Sequence, residues 1–148
     1  MIDQPAKDFP GSLTLLFQRQ NQSGLEILSP HGWSPVPVYP VGTSSDSYPP
    51  ILVNVGDLLS FWTNGYLKST VHRVVSPKEG AGDRYSIAFF CHPLHETRLV
   101  QIPSHIIRVR QERKGELAGN DRLTAKEHLS SRLEATYGFG IQDDPEKD

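Results

Sequence analysis

"STVHRVVSPKEGAGDRYSIAFF", Ser69 to Phe90, sets a histidine inside one strand-like run and an Arg-Tyr-Ser triplet at the head of the next. The runs "LKSTVHRVVS" and "RYSIAFFCHP" carry β-branched and aromatic residues, and the turn-forming "PKEGAGD" separates them. They read as two strands joined by a glycine-containing loop. A histidine in an apolar run is by default a core residue whose ring nitrogens have found partners, since His is only intermediate in its tendency to be buried. Whether His72 is more than that depends on what surrounds it.

Immediately upstream, "ILVNVGDLLSFWTNG" holds the β-branched run Ile51 to Val55, a turn at Gly56-Asp57, an apolar stretch Leu58 to Trp62, and Asn64-Gly65, the strongest short-range turn signal in the chain. Before it lie "SLTLLFQ" (Ser12 to Gln18), a polar turn "RQNQSG", and "LEILS", which together read as a hairpin of a buried and a half-buried strand. "WSPVPVYP", beginning at Trp33, is limited by its prolines to an edge strand or extended rim. The stretch 41–50 is too polar and broken for regular structure. Short strands and turns thus repeat closely from Ser12 to Phe90, the pattern of a double-sheet or barrel-like β fold.

Downstream the character changes. "SHIIRVRQERKGELAGND" is charged and reads as surface. "TAKEHLSSRLEATYG" places Leu129, Leu133 and Tyr137 four apart on one helical face, opens with a Thr124–Glu127 capping box and stops at Gly138. The tail 139–148 reads as disordered.

The bulk numbers fit one domain. The chain has 148 residues, 36% hydrophobic and 22% charged, with 12 glycines and 12 prolines favouring a turn-rich β architecture over a bundle. A net charge of -2 gives no electrostatic reason to expect nucleic acid or an anionic membrane as partner. Cys91 is the only cysteine, so no internal disulfide is available, and no apolar run approaches transmembrane length. The expectation is a soluble, cytoplasmic protein.

An imidazole pointing into a barrel suits divalent iron, which non-haem oxygenases hold by two histidines and one carboxylate, with the opposite positions open. Arg84 and Ser86, two apart in a strand, point to the same face. A guanidinium fork takes a carboxylate bidentately, and the serine hydroxyl adds one bond. A dicarboxylic acid chelating iron at one end would then be anchored at the other.

At these residues a resemblance becomes specific. "GSLTLLFQ", "ILVNVGDLLSFWTNGYLKSTVHRVV" and "RYSIAFF" resemble the iron(II)- and 2-oxoglutarate-dependent dioxygenases of the isopenicillin N synthase-like superfamily, and "LTAKEHLSSRLEATYG" resembles the C-terminal helix of fungal members. The likeness covers most of Phe9 to Gly138. It implies a mainly β fold, an incomplete double-stranded β-helix (jelly-roll) with one C-terminal α-helix packed outside. It implies Fe(II), 2-oxoglutarate and O2 as cofactor and cosubstrates, with hydroxylation or desaturation of a small molecule, in fungal members often in secondary metabolism, and succinate and CO2 as co-products. By resemblance His72 matches the distal iron-binding histidine, and Arg84 and Ser86 match the pair holding the far carboxylate of 2-oxoglutarate.

Two departures stand out. The family pattern has His-x-Asp just before the "GSLTLLFQ" strand, where this chain reads "AKDFPGSLT". Asp8 matches the aspartate, Ala6 takes the place of the first histidine, and Pro10 is an extra residue, so the implied metal ligands are His72 and Asp8. The family also carries a long N-terminal region with helices, first barrel strands and a tyrosine for the cosubstrate. A barrel without those strands has open edges and one uncovered core face. A truncated gene product or incorrect gene model is the favoured reading, because the join falls inside a motif; the alternative is a short pseudoenzyme or non-catalytic remnant. Either way the chain itself is expected to be inactive or weakly active.

The implied division is residues 1–95 as the dioxygenase β-helix core, 96–123 a charged linker, 124–138 the helix and 139–148 the tail. Other conspicuous residues take plainer readings. His92 and His95 sit in a loop after the last strand, His31 and His105 at the surface, and His128 on a solvated side of the terminal helix. Trp33 and Trp62 are packing residues and Asp57 caps a turn. Lys68 and Arg73 point away from the interior. Phe90 shares the face of Arg84 and Ser86 by parity.

Overall fold

"LTLLFQ" alternates about a strand axis, and it becomes the central strand of a sheet. The computed structural model describes residues 11–44, 48–75, 82–100, 102–114 and 123–138. Strand β1 (Leu13–Gln18) pairs antiparallel with β4 (Leu52–Val55) on one side and β6 (Ser86–Cys91) on the other. A second sheet has β2 (Leu25–Ser29) between β3 (Gly32–Pro35) and β5 (His72–Val74), all antiparallel. The orders are β4-β1-β6 and β3-β2-β5. The proline-bearing segment is an edge strand, as expected, since its missing donors do least harm there.

The expected hairpin of β1 with β2 does not form. Between them Asn21 (φ 59) and Gly24 (φ 130) turn the chain out of one sheet and into the other, so that Thr14 and Leu16 of β1 look across at Leu25 and Ile27 of β2. The close hairpin is β2 with β3, where Ser29 and Gly32 pair and the Ser29 hydroxyl donates to Gly32 O at 2.8 Å. β5 and β6 likewise enter different sheets. Alternation alone could not have distinguished sequential pairing from crossing, because both bury the same residues.

Among the described residues three helices accompany the sheets, two more than the single one expected. α1 (Asp57–Trp62) occupies the apolar stretch after Gly56, with Asp57 in its first turn where a negative charge suits the helix dipole. It ends at Asn64 (φ 50) and Gly65 (φ 67), two consecutive left-handed residues. α2 (His105–Lys114) lies in the stretch expected to be a charged linker. That stretch is not merely surface: Leu99 and Ile107 are buried, and Leu99 N–H donates to Leu123 O at 2.8 Å. α3 (Ala125–Tyr137) has both halves of the expected capping box and a left-handed Gly138 cap at φ 74.

The fully buried core is Leu58, Leu99 and Ala125, backed by Trp62 and Leu123, with Trp62 Nε1 donating to Val100 O at 2.6 Å. It therefore joins α1, α3 and the loop before α2 rather than filling the space between sheets. His128 corrects the expectation of a solvated ring. It is 8% exposed and lies 5.1 Å from the Phe61 ring, centroid to centroid. α3 uses two faces: Ala125, His128 and Arg132 turn toward α1, where Arg132 pairs with Asp57, while Leu129 and Leu133 line a cleft of about 670 Å³ with Phe90, His92 and His95. The outer face of the first sheet carries Phe17, Val53, Ile87 and Phe89 at 42%, 60%, 70% and 58% exposure. No helix among the described residues is long and apolar enough to cross a membrane.

Candidate active site

Alternate residues of the two sheets meet across a cavity of about 190 Å³. Leu16, Leu52 and Ala88 form one wall, Leu25, Ile27, Val36 and Val74 the other, and the polar groups that interrupt them are Thr14, Asn54, His72, Arg84 and Ser86. The structure thus brings His72, Arg84 and Ser86 together. Asp8, like Ala6, lies outside the described residues.

Arg84 precedes β6 by two residues and folds back along it. Its Nη1 donates to Ser86 Oγ at 3.1 Å and its Nη2 to Gln18 Oε1 at 3.3 Å. Both partners are neutral. Its Nε is buried and has no partner among the described residues, and burial pulls the guanidinium below the ordinary arginine pKa by disfavouring the cation. A partly desolvated cation with an unspent donor is costly to hold. Gly24 lies beside it: a Cβ there would meet Arg84 Cδ at 3.4 Å, an ordinary contact, but Val75 O at 3.0 Å, a tight one, at a φ of +130.

His72 opens β5 opposite Ile27. Its Nδ1 donates to Thr70 O at 2.9 Å, since a carbonyl can only accept, and that bond assigns the lone pair to Nε2. This is the tautomer that a metal-ligating imidazole needs. Arg73, next in sequence, takes the opposite face. There its Nε and Nη2 both reach Glu26 Oε2 at 2.8 Å, and its guanidinium lies 4.2 Å from the Trp33 ring centre. Phe90 faces the neighbouring cleft rather than this cavity.

The donor set fits 2-oxoglutarate: a cation with neutral partners, walled by aliphatic side chains, wants a carboxylate. For iron, His72 is of the right kind. Among the described residues no three His, Cys, Asp or Glu side chains are placed to hold a metal.

Comparison with known proteins fixes the family. The profile of the 2OG-Fe(II) oxygenase superfamily matches residues 3–93. The chain belongs to that superfamily. The proline hydroxylase buaE of Petromyces alliaceus is 37% identical over 86% of this chain and 38% of its own length. The 2-oxoglutarate-dependent dioxygenase frbA of a Dothideomycetidae species is 37% identical over 90% of the chain and 38% of its own. Among solved structures, a full-length Neurospora crassa protein in complex with alpha-ketoglutarate (2-oxoglutarate) superposes with a TM-score of 0.63 at 33% identity, over 89% of this chain and 37% of that one. The chain thus spans little more than a third of these relatives. Iron(II), 2-oxoglutarate and O2 are the reactant set of the superfamily, and the fungal relatives agree with the expected lineage.

Sequence reasoning missed Gln18, Gly24 and Asn54. Parity along β1 carries a signal for Gln18, two beyond Leu16. Asn54 is the polar residue in "ILVNV", in step with Leu52.

Proposed function

We propose that this chain supplies the cosubstrate-anchoring part of an iron(II)/2-oxoglutarate-dependent dioxygenase acting on a small organic molecule. One observation carries the reading: the half-buried Arg84, with neutral partners and an orphan Nε, shares a cavity with Ser86 and His72. Arg84 and Ser86 take the far carboxylate of 2-oxoglutarate, and Gln18 holds the guanidinium plane without neutralising it. The aliphatic walls lie along the carbon chain. His72, its tautomer set by Thr70, is the metal ligand of the described part, and Asp8 is the second in sequence. When bound, iron with 2-oxoglutarate and O2 supplies the oxidising chemistry that hydroxylates or desaturates the substrate and releases succinate and CO2. The two sheets flanking the cavity are read as part of a double-stranded β-helix, with residues 1–95 as the core. That a small molecule is the substrate is supported by the Neurospora crassa structures that hold thymine or 5-formyluracil beside alpha-ketoglutarate.

Ala6 favours a second reading, a non-catalytic remnant that binds 2-oxoglutarate without turning it over, because a methyl group offers no lone pair to a metal. The test is succinate formation from 2-oxoglutarate by the purified chain with added iron(II), beside Ala6→His. Loss of a ligand should cost at least the 10–100-fold typical of changes one layer further out, so the unaltered chain is expected to turn over little. Robust turnover without the substitution refutes the assigned ligand set, and gain of turnover in Ala6→His supports it.

A further inference from the structure

We infer that Asn54 is a further ligand-binding residue of the cavity, its amide donating to the oxygens at the end of the bound dicarboxylate remote from Arg84. This rests on the 2-oxoglutarate reading above. Asn54 Nδ2 is buried and has no hydrogen-bond partner among the described residues. A buried orphan donor costs about as much as a lost hydrogen bond. Asn54 stands in the run "ILVNV", where an aliphatic residue in step with Leu52 would satisfy the packing better. A local choice that opposes the fold marks a place where function outweighs stability.

Its position says what it serves. Asn54 pairs with Thr14 and Ser86 with Gln18, so they sit about four strand residues, roughly 13 Å, apart along the sheet. The guanidinium lies at the Gln18 end. Gly24, beside Arg84, leads into Leu25, which pairs with Val74. His72, two residues further along β5, stands about 7 Å toward the Asn54 end. Guanidinium, imidazole and amide therefore follow one another down the cavity, with orphan donors at both ends and no acidic side chain among the described residues that line it. A ligand bearing acceptors at both ends, and carbon between, complements that order. The amide supplies the far donor without a second positive charge.

The experiment measures binding to the 148-residue chain by calorimetry in metal-free buffer, with 2-oxoglutarate and with butyrate as a monocarboxylate that engages Arg84 alone. Asn54→Leu should weaken 2-oxoglutarate by about tenfold to a hundredfold, the scale of one hydrogen bond to a charged group, and leave butyrate unchanged. Asn54→Asp, nearly the same shape, should weaken 2-oxoglutarate further by placing carboxylate against carboxylate. It also tests the inference should the leucine variant misfold, which circular dichroism would reveal. Unchanged 2-oxoglutarate affinity in a folded variant overturns the inference, as does an equal loss of both probes. Failure of the unsubstituted chain to bind 2-oxoglutarate, or binding indifferent to Arg84→Met, overturns the cosubstrate reading itself.

Discussion

Replacing Arg84 by methionine should separate binding from stability. Methionine keeps the apolar stem against Gly24 and removes the charge. In the ligand-free chain the guanidinium makes two hydrogen bonds to neutral oxygens, at 3.1 and 3.3 Å, each worth about 0.5–1.5 kcal/mol net. Against them stand the orphan Nε, a penalty of about 1–3 kcal/mol, and the desolvation that already depresses the arginine pKa. These nearly cancel. Stability should change by no more than about 1 kcal/mol, which is about 3 °C in Tm for a chain of this size. With 2-oxoglutarate bound the balance differs, because removing one partner of a desolvated, hydrogen-bonded charge pair costs about 2–5 kcal/mol. The expected loss in affinity is therefore about 30-fold or more. Calorimetric titration with 2-oxoglutarate and a thermal melt of the same ligand-free sample measure both quantities. Iron(II) affinity, read in parallel, should hardly move, and Arg84→Lys should fall between, keeping the charge but losing the fork. A melt lowered by about 10 °C, several times the shift expected from the size scaling, would refute the reasoning by making Arg84 a structural residue. So would equal loss of iron and 2-oxoglutarate, or loss of neither.

Other perturbations test the frame. Gly24→Ala puts a Cβ 3.0 Å from Val75 O at a φ of +130 and should cost about 1–3 kcal/mol in a urea titration. Leu58→Ala, at a fully buried site joining α1 to α3, should cost about 3–5 kcal/mol by the same measurement. Burial holds the His128 imidazole below its ordinary pKa, partly offset by Asp57 and reinforced by Arg132 and His92. The unfolded chain therefore takes up that proton first: the His128 contribution is intact above about pH 6.5 and is lost as pH falls toward the folded pKa. His128→Gln should flatten the fall in urea midpoint between about pH 7 and 5, and an unaltered slope would show that other groups drive it.

How much was legible in the sequence depends on the range over which each signal acts. The Thr124–Glu127 box and the Gly138 stop are local, and both are found in place. The shared face of Arg84 and Ser86 is a property of strand alternation, and the 3.1 Å contact follows from it. Sheet membership is not local. Whether β1 meets β2 or crosses from it depends on Asn21 and Gly24 and on which strands arrive later from residues 52–55 and 86–91. The burial of His128 escapes local signals for a related reason. The stripe at Leu129 and Leu133 defines one apolar face, but a second partner, α1, buries a second face that hydrophobic spacing does not announce. Leu58 to Trp62 is short enough to suit strand or helix alike. It became a helix because Gly56 and Asp57 start one and Asn64-Gly65 ends it.

The placement of the polar groups also explains why the two functional readings agree on cosubstrate and divide on turnover. Arg84 and Ser86 sit at the head of β6, Arg84 held by Gln18 from β1 and lying beside Gly24 before β2. Every one of these residues is within or beside the described sheets, so the proposed carboxylate binding would draw on groups already aligned by sheet pairing. On the proposed reading, metal binding would draw on His72 from β5 and on positions ahead of β1, where the sequence offers Asp8 and withholds a ligand at Ala6. The two capacities therefore reside in different segments, and substitutions in one should leave the other largely additive. An oxygenase and a 2-oxoglutarate-binding remnant would share the anchor, its affinity and its dependence on Arg84. They differ in whether a ligand set without a side-chain donor at residue 6 supports turnover, so succinate formation by the chain beside Ala6→His, rather than any measurement at the anchor, divides them.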